Sequence, residues 1–231
     1  MRRLHQIIVF IFVFLFSINT LAQKDSLFYL KPKCPIWFIP SKAEKVNGIA
    51  IGPIESGIFK EKQKVNGITV NILGLGTFAP LMPESLASRY FKDDNNSRLD
   101  SIISSELDHM DTIPETYIHN GLVASLGGIA TQTINGISVS TIGHVSSRSN
   151  GILLNGLITV IFKAQGVTSG IINESFSLSG VQLGIFNKAV VLKGIQIGLS
   201  NKSLKGKGFQ IGLINKNPKR TTILINWNFS N

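Results

Sequence analysis

Apolar residues recur at every second position after a repeated glycine. The motif is Gly-Φ-x-Φ-small, with Φ apolar. It begins at Gly48, Gly67, Gly121, Gly136, Gly151, Gly166, Gly180, Gly194 and Gly208. In the last three copies the apolar positions are Val181, Leu183 and Ile185, then Ile195, Ile197 and Leu199, then Phe209, Ile211 and Leu213. Period two marks a strand whose two faces meet different surroundings, and the apolar face is the one expected to be buried. The alternate positions are mostly polar or small, reading Gln182, Gln196 and Gln210 two residues after the glycine. Helical periodicity is absent, and glycine at this density would cost a helix about 1 kcal/mol per residue.

From Gly121 onward the motif returns every 14 or 15 residues. A short fixed period means a chain built by repetition. A second apolar column stands four residues before each later glycine, at Phe162, Phe176, Val190 and Leu204. Two residues before it stand Ala164, Leu178, Leu192 and Gly206. Each period therefore holds two arms, a strand and a shorter return strand, with Asn-Lys pairs marking the turns.

Two all-β architectures fit. One is a parallel β-solenoid, or β-roll, of 14–15-residue coils with one irregular insertion. The alternative is an antiparallel outer-membrane β-barrel with one strand per period. In the solenoid residue i lies on residue i+14, and identical amides satisfy one another across the strand spacing of about 4.8 Å. A barrel alternates short and long connections, whereas the spacers KAVVLK (Lys188–Lys193) and KSLKGK (Lys202–Lys207) do not alternate. The terminal NWNF (Asn226–Phe229) is similar to the aromatic ending of barrel proteins. The solenoid is the expected fold, and the barrel stays as its alternative.

The chain divides accordingly. Residues 1–22 read as a secretory signal peptide: Arg2 and Arg3, the apolar run Ile7–Ser17, and a small-residue cleavage site before Gln23. Residues 23–45 are a lead-in with Trp37 and Phe38 placed to cap the core. Residues 46–78 hold the first repeats and 79–119 an insertion with a short helix around Asp100 to Leu107. Residues 120–231 are continuous repeat ending in a strand with Ile223, Ile225, Trp227 and Phe229 on one face. The single cysteine, Cys34, excludes an intramolecular disulfide.

The net charge of +10, or +8 without Arg2 and Arg3, is concentrated late in the chain. The lysines of the turns are expected to be solvated. A surface made of Gln182, Gln196 and Gln210 with the edge Lys188, Lys202 and Lys216 is the expected interaction surface. Its partner would be an anionic glycan, a lipid head group or an envelope protein, with peripheral membrane association and no nucleic acid.

The GΦQΦGΦΦN repeat, the VNGI opening at Val46 and Val65, and the LINWNF ending resemble a family of bacterial surface-repeat-containing proteins of Bacteroidota and spirochaetes. The resemblance covers about Val46 to Phe229. It implies an exported protein and transfers no site residue. The 14-residue period is also similar to the head β-roll of trimeric autotransporter adhesins, without their coiled-coil stalk.

No motif carries catalysis. The cluster Glu106, Asp108, His109 and Asp111 lacks the alternating acids and central glycine of a calcium loop and matches no zinc helix. It reads as a solvated loop. There is no GxSxG elbow and no phosphate loop. Glu174 is the only acid between Gly121 and Asn215, which disfavours a polysaccharide-cleaving site; such an enzyme would use Asp108 or Asp111. The expectation is an exported, non-catalytic envelope protein, on the cell surface, in the outer membrane or in the periplasm. No catalytic, cofactor or metal residues are assigned.

Overall fold

The computed structural model describes residues 36–55, 62–81, 85–91 and 99–229. The signal segment, Cys34 and the polar run Lys92–Arg98 lie outside them. Eleven strands form one sheet in sequence order: β1 (Ile36–Phe38), β2 (Lys45–Ile54), β3 (Gln63–Leu73), β4 (Tyr117–Ser125), β5 (Gly128–Ser140), β6 (Gly143–Asn155), β7 (Ile158–Ser169), β8 (Ile172–Leu183), β9 (Phe186–Ile197), β10 (Ser200–Lys216) and β11 (Thr221–Asn228). Every neighbouring pair is parallel except β10–β11.

Parallel neighbours normally need a crossover of a dozen or more residues. Here only Thr141 and Ile142 separate β5 from β6. The return path must therefore lie within each strand, which doubles back at its motif glycine. Each period is one coil with a first arm before the glycine and a second arm after it. The register stacks each coil on the last, with Gly166 opposite Gly180 and Gly180 opposite Gly194. The solenoid expectation holds. The sheet is open, its strands run parallel, and the antiparallel barrel alternative is set aside.

The bend explains the glycine column. Gly194 has φ 150°, a region L side chains rarely adopt, and a Cβ there would stand 1.9 Å from the carbonyl oxygen of Gly180. In the last coil the positive φ moves from Gly208 to Gly206 (φ 107°), two residues earlier than the motif implies.

The inserted residues loop out between adjacent coils, because Gly67 pairs directly with Gly121. They form a 3-10 helix (Leu75–Leu81), a short helix α1 (Leu86–Tyr90) and a longer helix α2 (Leu99–Thr112). Ser85 caps α1, its hydroxyl accepting from the Ser88 N–H at 3.0 Å. Ile103 and Met110 of α2 pack on Phe162, Phe176, Val190 and Val191, with Tyr90 and Phe91 at the margin. Phe162 and Phe176 stack with centroids 4.5 Å apart, and Tyr90 meets Phe176 edge-on. The outer face of the first arms of β7, β8 and β9 is thus covered.

The second arms are the reverse of the expectation. The residues two after each glycine point inward: Ser138, Leu153, Thr168, Gln182, Gln196 and Gln210 are all at most 2% exposed. The apolar positions one and three after it point outward. Period two reports that two faces differ and leaves open which one faces in.

Hydrogen bonding across and along the interior accounts for the inward glutamines. The two arms face each other closely enough for Gln182 Nε2 to donate to Ser175 Oγ at 2.9 Å. In the later coils that gap lets in-register amides bond one another from coil to coil. Gln210 donates to Gln196 and Gln196 to Gln182, both at 2.8 Å. Asn173, Asn187, Asn201 and Asn215 form a second ladder at 2.7 to 2.9 Å. Gly198 makes room for it, because a Cβ there would meet Asn187 Nδ2 at 2.6 Å. Apolar packing inside includes a cluster of Leu153, Ile161, Ala164, Leu178, Ala189 and Leu192 and, in earlier coils, one of Val123, Ile129 and Ile134.

The ends are closed differently. Trp37 donates its indole N–H to Asn47 O at 3.0 Å and packs with Ile39, Val46, Ala50 and Val65, while Phe38 is 82% exposed. At the other end β11 runs antiparallel on β10 and buries Asn226 and Asn228. Asn226 Nδ2 donates to Gln210 Oε1 at 3.3 Å, terminating the glutamine ladder.

Candidate functional site

Among the described residues, the most extended exposed apolar feature is the outer face of the second arms. Positions one, three and five after each glycine from Gly48 to Gly208 contain no charged residue. Most are Ile, Val, Leu or Phe, and those at the centre are about two-fifths exposed: Ile137 43%, Leu154 46%, Ile197 40%, Ile211 44%. Their remaining surface is covered by in-register neighbours, Ile197 lying between Leu183 and Ile211. β11 extends the face, setting Trp227 beside Phe209 and Ile225 beside Ile211. Ten strands at about 4.8 Å and five residues at about 3.3 Å give a footprint of roughly 800 Å². Monomeric soluble proteins rarely expose an apolar patch beyond a few hundred Å².

Charge is segregated between the two sides. On the first-arm side, Asp111 receives Lys163 Nζ at 3.2 Å and Arg148 at 3.4 Å. Hydrogen bonding and the charge of Lys163, then of Arg148, hold the Asp111 carboxyl below the usual carboxylate range. Lys205 pairs with Asp100 and Arg148 also with Glu115. Glu174 is buried beneath α1. Burial pushes its pKa up, but hydrogen bonds from Lys188 (2.9 Å), Ser85 and Ser88 (2.8 Å) outweigh that and leave it lowered. The bend beside the apolar face carries Lys193 and Lys207, in register and exposed. Arg220 stacks on Trp227 at 4.5 Å.

The expected interaction surface is therefore corrected. Gln182, Gln196 and Gln210 are 1%, 0% and 1% exposed and form the interior ladder. Lys188 is committed to Glu174, and Lys202 lies 4.8 Å from the Phe91 ring centroid. Lys216 alone of the six is exposed, at the end of β10. The six residues make no common surface. The signal that marks the real exposed face is its freedom from charge, which interrupts no coil.

The ELDHMD cluster is helical rather than a loop, on α2. Among the described residues no group of His, Cys, Asp or Glu could hold a metal ion. Between α2 and the first arms lies an open cavity of about 540 Å³, lined by Glu106, His109, Met110, Tyr117, Val145 and Phe162 among others.

A third feature was not legible in the sequence. Glu55, after β2, is fully buried. Burial, only partly offset by the Ala130 N–H donated at 3.0 Å, pushes its pKa up to about 8. His119 Nε2 lies 3.8 Å from its free oxygen and 3.1 Å from the Tyr117 hydroxyl. His144 sits between Ser138 and Ser146 at 3.1 Å each. Burial lowers His119 to about 4, and burial with neighbouring His119 lowers His144 to about 3. At neutral pH these groups are uncharged, an enclosed polar filling of the early coils.

Compared with known protein families, curated proteins and solved structures, the chain matches none.

Proposed function

We propose that this chain is an exported, non-catalytic repeat protein of the cell envelope. It works as an interaction module that presents a regular β-surface. The observation that carries the reading is the uncharged apolar face of the second arms. Its footprint of roughly 800 Å² matches what one partner contributes to a standard protein interface. Such a face left in water would drive aggregation, so it serves a contact. Amide ladders lie directly behind it and link each coil to the next. The signal-like first 22 residues support an envelope location.

The test is recovery from producing cells. The protein is expected in the envelope fraction with its N-terminus at Gln23. Recovery from the cytoplasm with Met1 intact would refute export. Retention of an Ile197→Asp/Ile211→Asp variant equal to that of the parent would refute the face as the contact.

A further inference from the structure

The contact face fits one partner better than others. It is uncharged across its width and, at ten strands by five residues, longer than it is wide. Its C-terminal end is aromatic and bordered by cations: Lys193 and Lys207 on the bend, and Arg220 stacked on Trp227. Asp100 and Asp111 of α2 lie on the opposite side of the solenoid, Asp111 paired with Arg148 and Lys163 and Asp100 with Lys205. An apolar face rimmed by basic groups complements an apolar layer beneath anionic headgroups. Trp at such a margin sits favourably at headgroup level.

We propose that the outer face of the second arms lies on a lipid membrane carrying anionic headgroups. This rests on the reading of that face as the contact surface and names its partner. The attachment is interfacial. An open sheet leaves unpaired backbone groups at its edges, which hydrocarbon cannot satisfy, and the first-arm side carries ion pairs that belong in water. A second copy fits less well. Stacking two such faces brings Lys193 and Lys207 against a surface that holds no acid, so their charge meets no counterpart. Membrane phosphates supply it.

The experiment uses the purified chain with phosphatidylglycerol vesicles and, in parallel, phosphatidylcholine vesicles. Binding is read by flotation, and the environment of Trp227 by fluorescence in a Trp37→Phe background. Expected is flotation with the phosphatidylglycerol vesicles and a blue shift. The Ile197→Asp/Ile211→Asp pair is expected to lose binding by about tenfold or more, since two inserted side chains become charged. Ile197→Thr/Ile211→Thr, a milder pair, is expected to weaken it in the same direction with the fold intact. Lys193→Glu/Lys207→Glu should weaken binding to anionic vesicles and flatten its salt dependence. A monomer that floats with neither vesicle overturns the proposal. So does a dimer that the Asp pair dissociates without any vesicle binding, although the face would then remain a contact surface. Protection of the face by the chain's own first 35 residues, seen by hydrogen exchange, also overturns it. Vesicle binding unchanged in the Asp and Thr pairs refutes both this proposal and the contact reading beneath it.

Discussion

Gln196 and Ile197 are adjacent, and their burial inverts the usual rule that apolar side chains lie inside. Gln196→Ala removes the donor to Gln182 Oε1 and the acceptor of Gln210 Nε2, both at 2.8 Å. Gln182 Oε1 is then left without that donor inside the solenoid. A buried group left unsatisfied costs about 1–3 kcal/mol, and the vacated space adds to it, so the loss is about 3–5 kcal/mol. For a chain of this size that corresponds to roughly 10 °C in the unfolding midpoint. Ile197→Thr keeps the β-branched shape on a position that is 40% exposed. Its cost is at most about 1 kcal/mol, since only part of the side chain leaves an apolar contact. Thermal and urea unfolding followed by far-UV circular dichroism would rank the two. Equal losses, or a larger loss for Ile197→Thr, would refute the assignment of the glutamine face to the interior.

Further outcomes follow from other parts of the solenoid. Gly194→Ala places a methyl 1.9 Å from Gly180 O at a φ of 150°; a loss above about 3 kcal/mol, or no soluble protein, is expected, and a neutral result would show that the coils do not stack glycine on glycine. Phe176→Ala empties the stack under α1 and α2 and should cost about 3–5 kcal/mol, with hydrogen-exchange protection falling first in α2. Stability should peak near pH 6.5. Between pH 4.5 and 8 folded Glu55 keeps a proton that the unfolded chain has shed, so its contribution is full below 4.5 and lost as pH rises to about 8. His119 and His144 stay neutral when folded, so below 6.5 the unfolded chain binds protons they refuse, and stability falls as pH falls toward about 4 for His119 and about 3 for His144. Two histidines outweigh one glutamate on the acid side. Glu55→Gln should remove the alkaline limb; a limb that persists would mean that Glu55 is ionised in the folded chain.

The sequence by itself determined the period, the strand character and the two-arm coil. Glycine at fixed spacing and identical amides 14 residues apart are local signals, and parallel stacking is the geometry in which like meets like. It also showed that the insertion loops out, since the motif resumes unchanged at Gly121. Tertiary structure decided which face is inside. Alternation is symmetric under inversion, and it is the folded coil that turns Gln196 inward, where its amide bonds Gln182 and Gln210, and leaves Ile197 outside. The same holds for Glu55, His119 and His144, which lie far apart in sequence and meet because Gly67 stacks on Gly121. It holds as well for Phe176, whose outward side chain is buried by helices of an insertion 60 or more residues away in the chain. The candidate face was therefore visible as a pattern and misread as a core, because burial belongs to what packs against a surface and not to the surface's own residues.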